Sequence, residues 1–303
     1  MKSRAVLSYA RAYANCANAD LIQIVPRIIG FETIRWAIGY AAFVTDSTKM
    51  VPLPPIFEVQ RAAERGTFDH GWLQTSHSFS FAEYYDPRYI NWGALRVFND
   101  DRVAAGTGFP THEHRDMEIV AYVLSGELEH RDSLGSHGIV HSGGVRYMSA
   151  GRGVRHSEYN SSKTEALHFL QMWVLPGTLD NKPTYGQVEF ELADRRDKLL
   201  VVASGRPASA APVKLTQDAE LLVVRLEGSE VRHTFAPDCL GFIFVAEGSV
   251  RVAVQDDRIN ERGRADLVSG DGVRLGRIKQ ITLSGEGEVV VWDLPRILDE
   301  AND

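Results

Sequence analysis

"PTHEHRDMEIVAYVLSGELEHRDSLG", Pro110 to Gly135, sets His112, His114 and His130 around an apolar strand-like run in a chain that has only ten histidines in 303 residues. On a strand, residues two apart emerge from the same face, so His112 and His114 form a pair. Downstream, "GVRHSEYN" (Gly153 to Asn160) repeats the spacing with His156 and Glu158. Two neighbouring strands of a barrel, each turning such a pair inward, would bring three imidazoles and one carboxylate to a point. The HxH string alone is weak: ten histidines in 303 residues give roughly a one-in-three chance of one arising by composition. A surface pair, or histidines hydrogen-bonded in a core, would read the same way.

The surrounding sequence is β throughout from Ile56 onward. "GALRVFN", "EIVAYVLSG", "ELEHRD", "GGVRYMS" and "LHFLQMWVLP" are short apolar or alternating runs punctuated by Gly, Ser, Asn and Asp. Ser125-Gly126 between two such runs predicts a tight hairpin. "PGTLDNKPTYGQ" (Pro176 to Gln187) has linker composition. The β runs then resume with "KLLVVAS", "AELLVVRL", "LGFIFVAEGSVRVAVQ" and "QITLSGEGEVVVWDLP". "AYVLSGELEH" and "IFVAEGSVRV" share an apolar run, a turn glycine (Gly126, Gly248) and a second strand, a repeat that points to two copies of one β-barrel unit.

Gly106, then five residues, His112-x-His114, Glu118 and Gly126, followed by Gly143, Gly151, His156 and Asn160, resembles the two-part cupin motif. More narrowly, "GFPTHEHRDMEIVAYVLSGELEHRDSLG", "MSAGRGVRHSEYN" and the upstream "HGWLQTSHSFSFAEYYDPRY" resemble the pirin family over about residues 56 to 295. The resemblance implies an all-β bicupin: two antiparallel β-barrels of jelly-roll type packed face to face, the first holding one metal ion. It implies His112, His114, His156 and Glu158 as metal ligands. The general cupin pattern would use Glu118 as the carboxylate; the pirin pattern assigns that role to Glu158 and leaves Glu118 behind it. The expected division is a leader over 1–49, disordered or outside the fold, a metal-binding cupin domain over 50–178 and a metal-free one over 179–303. His233 is the only histidine of the last segment.

Three nitrogens and one oxygen suit Fe(II), Mn(II), Ni(II) or Cu(II), with Zn(II) also able to bind; the residues do not choose, and the resemblance favours Fe(II). "HEH" is not HExxH, and no GxSxG, Walker A or dinucleotide-binding context is present, so those chemistries are excluded. His130 and Asp132 share one face and line either the pocket or a solvent-facing edge. Trp72, Phe79, Phe81, Tyr84 and Tyr85 could hold a flat ligand, but core packing is the better account of most aromatics.

Charge and cysteines bound the function. The net charge of −7 argues against direct nucleic-acid or anionic-membrane binding. Cys16 and Cys239 form no CxxC pattern, which fits a reducing, cytoplasmic setting. The first 49 residues carry +3 and leave −10 for the rest, and their longest uncharged run, Trp36 to Thr45, is too short to span a bilayer. Two functions follow from the resemblance. One is a dioxygenase resembling the quercetin 2,3-dioxygenases, opening the heterocyclic ring of a flavonol with O2, with Glu158 as both ligand and base. The other is a metal-dependent redox sensor or transcriptional co-regulator acting through a protein partner.

Overall fold

In the computed structural model the described residues are 55–255 and 263–297; the leader 1–49 lies outside them. No helix among the described residues is long and apolar enough to cross a membrane. The order is β1 (Ile56–Gln60), β2 (Gly66–Asp69), β3 (Leu73–His77), β4 (Leu95–Val103), β5 (Gly108–His114), β6 (Glu118–Ser125), β7 (Glu127–Asp132), β8 (His137–His141), β9 (Val145–Ser149), β10 (Val154–Asn160), β11 (Leu167–Val174) and β12 (Thr184–Val188). After a helical turn at Leu192–Arg195 come β13 (Leu200–Ser204), β14 (Val213–Lys214), β15 (Glu220–Thr234), β16 (Leu240–Val254), β17 (Arg264–Val268), β18 (Gly272–Gly276) and β19 (Gln280–Leu294).

The first barrel is a seven-stranded sheet, β12-β9-β6-β11-β4-β3-β2, facing a four-stranded one, β5-β10-β7-β8. The second is one eight-stranded sheet built around three 15-residue strands, β15, β19 and β16. The expected repeat is visible in the pairing. β19 lies between β15 and β16 along its whole length, as β11 lies between β4 and β6, and β10 between β5 and β7. The second half therefore runs as three long bent strands where the first uses six shorter ones.

The hairpin expected at Ser125-Gly126 does not form. β6 pairs with β9 and β11, whereas β7 pairs with β8 and β10, so Gly126 carries the chain from one sheet to the other. Gly126 has φ +84 and Gly248, at the matching bend of β16, has φ +88. A Cβ on Gly126 would stand 2.7 Å from Ala166 O and 2.9 Å from Leu167 Cα, both backbone atoms. Left-handed backbone costs an L-residue roughly 1–2 kcal/mol before that crowding is counted. Gly126→Ala is accordingly expected to lower the melting temperature by about 5–10 °C, since about 1 kcal/mol moves a domain of this size by 2–4 °C. Thermal circular dichroism checks this, and an unchanged melting curve would remove Gly126 from the account.

The linker composition around Pro176 also conceals a strand. Its last residues enter β12, which pairs with β9 of the first barrel, while β1 pairs with β18 of the second. Each barrel thus takes one strand from across the 178/179 position.

The central strands are apolar without alternation because both of their faces are buried. On β6, Val120 and Tyr122 meet the other barrel while Ala121 and Val123 line their own. On β16, Phe242 and Phe244 meet the first barrel while Ile243 and Val245 turn inward. Phe98 sits 5.0 Å from Phe242 and 4.7 Å from Phe244, ring centre to ring centre, and the Trp292 indole N–H points at Met172 Sδ at 3.2 Å. The barrels therefore share one hydrophobic core across the face-to-face contact, and each has its own inside.

Candidate metal centre

The four-stranded sheet presents one inward row from each of three adjacent strands. β5 offers His112 and His114, β10 offers His156 and Glu158, and β7 offers His130 and Asp132. Antiparallel register sets His156 opposite His112 on one side and opposite Asp132 on the other, with a bulge between His156 and Glu158. Ligand-capable atoms of His112, His114 and His156 all lie within 4.8 Å of one another. His114 and His156 are buried and His112 is half-buried.

These imidazoles are arranged as donors to something between them. His112 Nδ1 meets Pro110 O at 2.8 Å, which fixes N–H on Nδ1 and leaves Nε2 as a lone pair. Both nitrogens of His114 and Nε2 of His156 are buried without a hydrogen-bond partner. Orphaned buried polar atoms are costly and rare unless a ligand, ion or water completes them. Burial, with His112 and Arg146 nearby, pulls His114 down to about 3, and burial with Arg146 pulls His156 well below the usual imidazole range. Neutral imidazole is the form a metal ion takes. The three-histidine group fits a divalent transition metal on this chemistry.

The facing sheet closes the site from below. Side chains on its inward face form a row across paired strands: His77, Asn99, Gln171, Ala121 and Arg146. Arg146 is fully buried, with Nη2 2.5 Å from Glu158 Oε1. Gln171 Nε2 donates to Glu158 Oε2 at 2.9 Å and Oε1 at 3.2 Å. His130 Nε2 meets Asp132 Oδ2 at 3.1 Å, and its Nδ1 lies 3.3 Å from His156 Nδ1. Of the two alternatives for His130 and Asp132, the inward one holds: both side chains are buried. Burial and Arg146 lower His130 to about 4 against the raising effect of Asp132. Tyr185 of β12 stacks on His130 with ring centres 4.3 Å apart, and Trp173 stands edge-on to His114 at 4.9 Å.

Glu158 is beside the histidine group, outside the set that meets within 4.8 Å; its Oε2 is 3.9 Å from His156 Nε2. Glu118 faces the other way. It accepts from Tyr147 Oη at 2.8 Å, and from the backbone N–H groups of Thr216 at 2.7 Å and Gln217 at 3.1 Å, so it ties the two halves together. Of the aromatics singled out in the sequence, Phe79 is in the shared core, Trp72 packs on Phe109, and Tyr85 is 75% exposed. Phe81 stands edge-on to Trp173, the ring beside His114, at 5.2 Å. Arg146 and Gln171 escaped the sequence reading. Their one signal was a polar side chain inside an otherwise apolar strand, in "GGVRYMS" and "LHFLQMWVLP". In the second barrel His233 lies 3.5 Å from Asp293, which Arg206 holds at 2.8 Å.

Comparison with known proteins agrees with this architecture. The Pirin family model matches residues 57–174, and a model described as the quercetinase C-terminal cupin domain matches 200–293. A quercetin 2,3-dioxygenase of Escherichia coli K12 is 38% identical over 242 residues, covering 79% of this chain and 99% of that protein. A pirin-like protein of Caulobacter vibrioides is 40% identical over 229 residues, covering 75% and 95% respectively. The crystal structure of the bacterial pirin YhhW from Escherichia coli in complex with nickel(II) superimposes with a TM-score of 0.71 at 38% identity, covering 80% of this chain and all of that one.

Proposed function

This chain belongs to the pirin family, and we propose on that footing that it is a metal-dependent dioxygenase that opens the heterocyclic ring of a flavonol such as quercetin. The observation that carries the reading is the three-histidine group with its orphaned buried nitrogens. His112, His114 and His156 would hold the ion, with Fe(II) favoured by the family resemblance and Ni(II) by the nickel complex of YhhW. A divalent ion held there supplies Lewis acidity toward a hydroxylate oxygen.

The chain's own residues do the rest. Glu158 takes the proton of the flavonol 3-hydroxyl at Oε2, the oxygen turned toward His156. Gln171 and Arg146 fix that carboxylate by hydrogen bonds to its other lone pairs. Trp173 and Phe81 supply apolar wall beside His114. The overall reaction consumes one dioxygen and releases one carbon monoxide per flavonol.

The test is oxygen uptake by metal-reconstituted protein supplied with quercetin and related flavonols, with carbon monoxide assayed alongside. Equal uptake and release that depends on added Fe(II), Ni(II) or Mn(II) is the expected result. No turnover with any flavonol would overturn the reading and transfer the metal centre to the redox-sensor role.

A further inference from the structure

Arg146 is a permanent positive charge placed where a cation is to bind. Its side chain is fully buried, and a guanidinium cannot shed its proton in a protein. It must therefore keep a counter-charge in contact. Two carboxylates are near. Asp132 is already engaged: Oδ2 by His130 at 3.1 Å, and Oδ1 by the N–H groups of Leu134 and Ser136, both at 2.9 Å. Glu158 is the one that Arg146 holds, at 2.5 Å. Gln171 reinforces the pair from both ends, donating to Glu158 and accepting from Arg146 Nη2 at 3.3 Å. A second guanidinium nitrogen, Nη1, reaches toward His130 Nδ1 at 3.2 Å and His156 Nδ1 at 3.5 Å, and Nε is buried without a hydrogen-bond partner. The hydrogen bonds of Glu158 all run to the floor of the barrel.

We infer that Arg146 withholds Glu158 from the metal, so that in this chain three imidazoles alone bind the ion and Glu158 remains outside as the partner of Arg146. This rests on the metal-centre reading above and departs from the four-ligand set that the family resemblance implies. Were Glu158 to turn to the ion, it would leave a buried guanidinium unpaired beside a divalent cation. Arg146 is then a positioning residue: it sets how many protein ligands the ion has and weakens its binding by repulsion.

The test is Co(II) and Ni(II) binding to the full chain, by competition with a chromophoric chelator, with the visible spectrum of bound Co(II) reporting coordination. Glu158→Gln on the unmodified Arg146 leaves the guanidinium charge unpaired beside the ion, so affinity is expected to fall, by less than about tenfold, while the Co(II) spectrum stays unchanged. Arg146→Gln is expected to raise affinity about tenfold and weaken the Co(II) bands, as a further ligand joins. Adding Glu158→Gln to that variant is expected to reverse both changes, a coupling that independent sites do not show. A loss of tenfold or more from Glu158→Gln alone, with a changed Co(II) spectrum, overturns the inference. That single variant decides the matter even if Arg146→Gln does not fold. A chain with these affinities but no flavonol-dependent oxygen uptake would end the dioxygenase reading and leave this one standing, while a chain that binds neither ion would end both.

Discussion

His156→Ala is expected to strip the metal from the purified protein while both barrels stay folded. His156 is the residue on which the site converges: its ring centre is 4.5 Å from His112 and 4.9 Å from His114, and Nε2 is an orphaned buried atom. Structural zinc sites with four ligands bind with roughly 10–16 kcal/mol, or about 2.5–4 kcal/mol per ligand. Losing one ligand should then weaken binding about 100- to 1,000-fold. The fold should tolerate the change because two effects oppose each other. A cavity is opened beside Arg146 and His130, but an unsatisfied polar group is removed from the interior. Elemental analysis after dialysis, with far-ultraviolet circular dichroism of the same sample, measures both. Metal retained at the wild-type ratio would remove His156 from the centre.

Strand parity grouped the candidate histidines in the sequence, and the family resemblance, not the spacing alone, marked them as ligands. His112 and His114, then His156 and Glu158, each keep the two-residue spacing, and a barrel has one inside. Parity fails where the chain turns a corner. Between His114 and Glu118 the backbone passes Asp116 at φ +48, so the alternation of β5 does not continue into β6, and Glu118 emerges on the face toward the second barrel. Gly126 misled for a related reason: a left-handed glycine looks the same in sequence whether the chain reverses within a sheet or steps across to the opposite one. Strand β12 was hidden because "TYGQV" is held by its pairing with β9 and carries no apolar run of its own. Arg146 and Gln171 stood out only as polar residues in apolar strands. Their partner, Glu158, is 12 and 13 residues distant in sequence and on another strand, and only the closed barrel brings the three together.

Glu158→Gln separates a metal that takes part in chemistry from one that is merely held. If Glu158 receives the flavonol proton, oxygen consumption per bound metal should fall on the order of 100- to 10,000-fold, the usual cost of losing a general base. Metal content should fall little, because Glu158 lies outside the three-histidine group. The substitution also leaves Arg146 buried without its counter-charge, and breaking a buried pair from one side costs roughly 3–5 kcal/mol. The substituted amide retains an oxygen that can accept from Arg146, which offsets part of this, but the variant should still melt lower and must be assayed well below its transition. Normalising rate to bound metal removes the stability effect from the comparison. Glu118→Gln is the matched control: its carboxylate binds Tyr147, Thr216 and Gln217 on the opposite face of β6. That variant should lose stability at the contact between barrels and keep its rate per bound metal within a few-fold. Equal rates per metal in Glu158→Gln and wild type would assign the proton to another acceptor and leave Glu158 as the counter-charge of Arg146 alone.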